Sequence, residues 1–341
     1  MTNPPPARTR KVTRKDVARY AGVSDAVVSY TLNGGSPVAA ATAERVREAV
    51  RLLGYTPNAS ARALKLGSAR LIGIIVPDSA NPFFAELCKA VEAAAVPAGY
   101  AVLVVNSNDT RKRTLEYLNS LASRQVDGVL IAASIDEVDV PALQASGARW
   151  ALLNHSTSLA EACTIGVDLQ TGARTATEHL IGHGYRNIAF IGQNRPDDSR
   201  YQGWRSALRA AGLEPGPAIF SAFTRPGGYA AGRELASMQR RPDAVFISSD
   251  MISMGVLRAI HEAGLQSPQD VAIVSFDGSA ESEYSWPSLT TIRQPILEMG
   301  AAAVEQLIGT SLLTSHHRFE GELLIRRSCG CSSSGLAPIE A

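Results

Sequence analysis

Apolar and polar residues recur along this chain with two different periods. Between Val12 and Asn33, VTRKDVARYAGVSDAVVSYTLN, the period is helical. Val17, Ala18 and Ala21 share one face, Gly22 interrupts the run, and Val28 and Leu32 resume it beyond Ser24. Thr13 is placed to cap the first helix, with Asp16 as a short-armed capping-box acid, and Ser24 to cap the second. Ala26, Ser29, Tyr30 and Asn33 are expected to face outward from the second helix. A third stretch, Thr42 to Leu53, offers Val46, Ala49, Val50 and Leu53 to close a very small core. Three short helices with a polar, outward second helix predict a helix-turn-helix DNA reader.

From Leu71 the pattern changes to short apolar runs separated by helical stretches. Strands are expected at Leu71–Val76, Ala101–Val105, Gly128–Ala132, Trp150–Leu153 and Thr164–Val167. A second series is expected at Ile188–Ile191, Ile219–Phe223, Ala244–Ile247, Val271–Ser275 and Leu289–Ile292. Helices are expected between most of them, at Phe84–Ala95, Thr171–Gly182, Arg200–Ala211 and Ile252–Ala263. This alternation predicts two lobes, each a parallel sheet covered by helices.

Charge sharpens the division. Residues 1–70 carry 12 Lys+Arg against 4 Asp+Glu, a balance of +8, whereas the remainder of the 341 residues carries −7. A basic head on an acidic body is the electrostatic footprint of a DNA-binding module joined to a soluble body. No apolar run is long enough to span a membrane. The opening MTNPPPARTRK has no apolar signal core, so a cytoplasmic location is expected. Neither a GxxxxGK[ST] loop, a GxSxG elbow nor an HExxH helix occurs, which argues against an enzyme. His179 and His183 have a spacing able to ligate metal from one helix face, but beside Gly182 and Gly184 they read as the polar end of a helix. Cys329 and Cys331 are too close together for a usual zinc pair, so neither metal nor cofactor is expected.

In open α/β sheets ligands bind beyond the carboxyl ends of the strands. Those ends carry Asp78-Ser79-Ala80-Asn81 with Phe83 and Phe84, then Asn154, Gln193, Ser249-Asp250 and Asp277. Two such rims make a cleft for a hydroxyl-rich or heterocyclic metabolite. Asp78 and Asp277 read alternatively as helix N-caps. A short helix from Pro57 to Gly67 has too few residues to be stable alone.

VTRKDVARYAGVSDAVVSYTLN and ERVREAVRLLGYTPNASARALK resemble the N-terminus of the lactose-repressor (LacI/GalR) family of bacterial regulators. The resemblance continues through IGIIVPDSANPFF, VDGVLIA, HLIGHGYRNIAFIG, VSFDG and LTTIRQP, covering nearly the whole chain. It implies an all-α helix-turn-helix head and a periplasmic-binding-protein-like core of two doubly wound parallel-sheet lobes. It further implies a homodimeric repressor of an inverted-repeat operator, controlled by a small effector. A sugar is the default effector and a nucleobase or nucleoside the second. On this reading DNA contacts fall to Thr13, Arg14, Asp25, Ala26, Val27, Ser29, Tyr30 and Asn33. In the hinge they fall to Asn58, Ala61, Leu64 and Lys65, with Leu64 wedging between base steps of the minor groove. Tyr30 departs from the arginine more usual in the family, so no operator sequence is carried over. The implied effector residues are Asp78, Asn81, Phe83, Phe84, Asn154, Arg200, Phe223, Asp250 and Asp277. Arg200 reads alternatively as a structural ion pair. The competing function is a sugar-binding transport-type protein on the same two lobes, without a regulatory role.

The expected domains are a disordered basic tail at 1–10, the head at 11–56, the hinge at 57–68, the core at 69–333 and a tail at 334–341. Within the core, one lobe is expected from about 69–167 plus 294–326 and the other from 168–293 plus 327–333.

Overall fold

Thr13 opens the first helix as its sequence suggests. Its hydroxyl accepts from the Asp16 amide at 3.4 Å, and its own amide donates to Asp16 Oδ2 at 2.9 Å. Helix α1 (Arg14–Ala21) ends at Gly22, whose φ of +64° is a left-handed conformation natural to a residue without Cβ. The Ser24 hydroxyl accepts from the Val27 amide at 3.4 Å and starts α2 (Asp25–Asn33). Helix α3 (Ala40–Leu53) completes the bundle, with Val17, Val28, Val46 and Ala49 fully buried among the three. The computed structural model describes residues 12–33, 36–56, 67–156, 159, 161–193, 198–309 and 315–331. The expected hinge contacts Asn58, Ala61, Leu64 and Lys65 lie outside these residues.

The chain divides into two units, Met1–Ala69 and Arg70–Ala341. The second unit holds two six-stranded sheets. The first contains β1 (Leu71–Val76), β2 (Ala101–Asn106), β3 (Gly128–Ile131), β4 (Trp150–Leu153) and β5 (Thr164–Val167). The second contains β6 (Ile188–Gly192), β7 (Ala218–Phe220), β8 (Ala244–Ile247), β9 (Ala272–Asp277) and β10 (Thr290–Arg293). Two late strands, β11 (His316–Phe319) and β12 (Glu322–Leu324), complete them, one to each sheet. The orders are β11-β5-β4-β3-β1-β2 and β12-β10-β9-β8-β6-β7. All pairings are parallel except β10 with β12. Nearly continuous Val/Ile/Leu runs form the central strands because helices cover both faces.

Some details differ from expectation. The strand expected at Ile219–Phe223 ends at Phe220, leaving Phe223 in the loop beyond it. Strand β11, HHRF, carries no apolar run because it forms an edge with His316 and Arg318 exposed. Since β11 pairs with β5 and β12 with β10, the last crossing between lobes falls between 319 and 322, ahead of residue 326. The helices Arg225–Ser237 and Asp250–Glu262 touch backbone to backbone. A Cβ on Gly228 would lie 2.0 Å from the Ile252 carbonyl oxygen, and one on Gly255 2.1 Å from that of Arg225.

Candidate functional site

In the head, Ala26 and Tyr30 are exposed on α2 and Val27 is half-buried. Ser29 is a correction: it is buried, at 9% exposure. At about 100° per residue it stands only about 60° round the helix from Leu32, inside the arc that packs on the bundle. Arg14 and Asp25, both expected to face DNA, form a bidentate pair joining α1 to α2, with Arg14 Nε to Asp25 Oδ1 at 2.7 Å. The hydrogen bond from Arg14 holds the Asp25 carboxyl below its usual range. Asn33 ends α2.

In the second unit, the loops at the carboxyl ends of both sheets surround a cavity of about 580 Å³. Asp78, Asn81, Phe83, Phe84 and Asn154 line it from the first sheet's side, and Arg200, Phe223 and Asp277 from the second's. Eight of the nine residues expected there are therefore brought together. Asn81 also caps the helix Pro82–Ala95, accepting from the Phe83 amide at 3.1 Å, and Asp78 accepts from the Ala80 amide at 2.9 Å. Asn154 and Asp277 are held at φ +59° and +114°. The second value is costly for a side-chain-bearing residue, a kind of strain that gathers at binding sites.

Arg200 organises the second-lobe wall. Its Nη1 donates to the Ser248 carbonyl at 2.9 Å, and Nε lies 3.4 Å from Asp198 Oδ1. Its guanidinium sits 5.4 Å from the Phe223 ring centroid and 5.8 Å from that of Phe276. Arg200 is an ion-pair partner of Asp198 and also faces the cavity. Gln294 Nε2 donates to Asp277 Oδ1 at 3.0 Å, and Gly278, at φ +72°, lets the following turn pass against Arg293.

Asp250 does not line the cavity. It is 1% exposed and accepts from the Ser279 amide at 2.7 Å, the Ser279 hydroxyl at 2.9 Å and the Thr291 hydroxyl at 2.9 Å. Asp250 thus anchors the turn after Asp277 from behind. Sequence reasoning missed Asn108, Asp109, Ser134, Asp136, His155 and Thr224, which also line the cavity. Most of them follow strands, so the same rule about carboxyl ends finds them.

Burial raises the Asp277 carboxyl well above its usual range, and the Asp250 charge pushes it further against the pull of Arg200. Burial also raises Asp250, against hydrogen bonds from Ser275, Thr291 and Ser279. A carboxyl that holds its proton more tightly folded than unfolded stabilises the fold at low pH. That contribution is lost as pH rises from the ordinary value of about 3.9 through the raised one. The gap in Tm between the wild type and Asp277→Asn is therefore expected to move against the wild type as pH rises over that window. Melting curves from acid to neutral pH check this, and a gap that stays constant or moves the other way contradicts it.

Away from the cleft, His179, His183, Cys329 and Cys331 form a metal-competent group among the described residues. In the sequence they stand as two separate pairs, far apart along the chain.

Comparison with known proteins agrees with this architecture. Residues 13–58 match the family described as bacterial regulatory proteins, lacI family, and residues 177–329 match the periplasmic binding protein-like domain. The chain is 34% identical over 308 residues to the ribose operon repressor of Escherichia coli (strain K12), covering 87% of this chain and 92% of that one. It is 33% identical over 332 residues to the HTH-type transcriptional repressor PurR of Pasteurella multocida (strain Pm70), covering 93% and 98%. The crystal structure of the Lac repressor dimer bound to operator and the anti-inducer ONPF matches with a TM-score of 0.82 at 26% identity, covering 94% of this chain and 99% of that one. These relatives are repressors and not enzymes. A helix-turn-helix head, two parallel-sheet lobes around a cleft and full-length similarity to repressors together place this chain in the LacI family of DNA-binding transcriptional regulators.

Proposed function

We propose that the protein is a cytoplasmic homodimeric repressor of an inverted-repeat operator, released or recruited by a neutral, hydroxyl-rich effector of sugar type. Two heads are needed because one contacts too few base pairs for useful specificity. Dimerisation is supported by β2, an edge strand that leaves the apolar Leu103 and Val104 substantially exposed. An uncovered apolar edge of this kind invites pairing with another chain. The domain limits at 11–56, 57–68 and 69–333 fit a head, a hinge and an effector core. Among the described residues no helix is long and apolar enough to cross a membrane.

The observation that carries the effector class is the charge of the cavity wall. Among the described residues, Asp78, Asp109, Asp136 and Asp198 face it against one arginine, Arg200, which Asp198 already engages, and the raised Asp277 carboxyl stands beside them. Carboxylates and amides accept from and donate to hydroxyls, while the Phe83, Phe84 and Phe223 rings pack on apolar ring faces. An anionic ligand would meet a surplus of negative charge. Those three rings favour a nucleobase or nucleoside as the second reading. Effector occupancy changes the angle between lobes, and hence the separation of the two hinges that must enter the minor groove together.

A thermal-shift screen of pentoses, hexoses, their phosphate esters and nucleosides tests the assignment. A ligand at a hundredfold its Kd adds about 2.7 kcal/mol to stability. A neutral sugar is expected to raise the Tm, and its phosphate ester to bind at least tenfold more weakly. A phosphate ester that binds more tightly than its parent sugar contradicts the proposal.

A further inference from the structure

The helix Leu169–Gly182 starts at the cleft, where Leu169 lines the cavity, and ends far from it. At about 1.5 Å per residue, His179 and His183 lie roughly 15 to 20 Å along the helix direction from that end. The last described stretch of the chain returns to this point. There the ligating nitrogens of His179 and His183 and the sulfurs of Cys329 and Cys331 all lie within 4.8 Å of one another. His183 Nε2 stands 3.1 Å from Cys331 Sγ, which stands 3.7 Å from His179 Nε2. The two imidazoles meet edge to face, with centroids 4.7 Å apart and planes at 83°. We propose that these four side chains form a tetrahedral zinc site that fastens the C-terminal segment to the second lobe.

The donor set selects the metal class. Two thiolates and two imidazoles suit zinc, whereas calcium and magnesium require the oxygen ligands this cluster lacks. The spacing also fits. Residues four apart on a helix share a face, which presents His179 and His183 together. Between the cysteines, Gly330 has φ +92°, a turn that helps keep both sulfurs directed at the histidines. A Cβ there would lie 2.8 Å from the Tyr185 hydroxyl oxygen, and that hydroxyl donates to the Cys329 carbonyl at 3.4 Å. The backbone carrying the two thiols is therefore fixed in place without metal.

The dimensions of the cluster match the ion. With metal–nitrogen and metal–sulfur bonds of about 2.0 to 2.3 Å, ligand atoms of a tetrahedral site stand about 3.3 to 3.8 Å apart. The observed 3.7 Å falls within that range and 3.1 Å just below it, and the widest separation needs a closure of only about 1 Å. Cys329 is fully buried, His179 and Cys331 are half-buried and His183 is exposed, so an ion can enter from the His183 side.

The consequence is mechanical. Cys329 and Cys331 pack with Leu323 and Ile325 on the core of the second lobe. A metal bridge from there to His179 and His183 closes a loop of some 146 residues, which constrains the unfolded chain more than the folded one.

The full-length protein, stripped with chelator and kept in a non-thiol reductant, is titrated with zinc chloride against a chromophoric chelator. One zinc per chain and a higher Tm are expected, and cobalt in place of zinc is expected to show thiolate charge-transfer and tetrahedral d–d absorption. Cys331→Ser and His183→Ala, both reachable from solvent, are expected to weaken zinc at least tenfold while melting like the stripped wild type without metal. Cys88→Ser, outside the cluster, is expected to change nothing. Absence of stoichiometric zinc binding, cobalt uptake without thiolate bands, or undiminished zinc affinity in both cluster variants would overturn the site.

Discussion

Arg200→Ala is expected to weaken effector binding at least a hundredfold while leaving operator affinity in the absence of effector unchanged. The guanidinium lies 14% exposed beside Asp198 and faces the cavity between Phe223 and Phe276. Each hydrogen bond from a charged group contributes about 1.5 to 3 kcal/mol. Two such bonds to a ligand are thus equivalent to at least a hundredfold in Kd. The substitution also strips Asp198 and Asp277 of their nearby cation, and breaking a buried pair costs about 3 to 5 kcal/mol. A lower Tm is expected for that reason, so Arg200→Lys is the companion variant. It keeps the charge but loses the planar fork, and should bind effector with intermediate affinity. Calorimetric titration of the three proteins checks this ordering. Wild-type effector affinity in Arg200→Ala would remove Arg200 from the binding site.

The second large effect is expected at the hinge. Leu64→Ala should lower specific operator affinity at least a hundredfold while leaving effector binding intact. An apolar wedge in the minor groove unstacks a base step at a cost of a few kcal/mol, offset by the tighter wrap of the bent site. Alanine is too short to hold the step open, so the bend and its added contacts are lost together. Phosphate contacts from the basic head do not depend on the wedge. Non-specific binding and its salt dependence are therefore expected to stay the same. Gel shifts with specific and scrambled duplexes across a salt series read both quantities. An unchanged ratio of specific to non-specific affinity would dismiss the wedge.

Elements whose side chains face a single kind of surroundings were legible in the sequence. Leu71–Val76, Trp150–Leu153 and Thr164–Val167 read correctly to the residue because these strands are buried along nearly their whole length. The β11 run, His316–Phe319, escaped notice because an edge strand with alternate residues in water has no apolar signature. Ser29 misled because a small hydroxyl residue is compatible with either side of a helix, and the neighbouring α1 and α3 decide between them. Asp250 was found at the correct strand end but on the wrong side of the turn. Only the partners Ser279 and Thr291, from later in the chain, reveal that it faces inward. The histidine and cysteine pairs are separated by 146 residues, so no local spacing could have joined them.

Occupancy of the cleft is expected to set the grip of the head on DNA. The most direct measurement is the equilibrium affinity of the full-length protein for its selected operator, by fluorescence anisotropy, with rising effector concentration. At least a tenfold change in operator Kd is expected for the wild type, with its midpoint near the effector's own Kd, and none for Arg200→Ala. An operator Kd that stays constant while the effector demonstrably binds would contradict it.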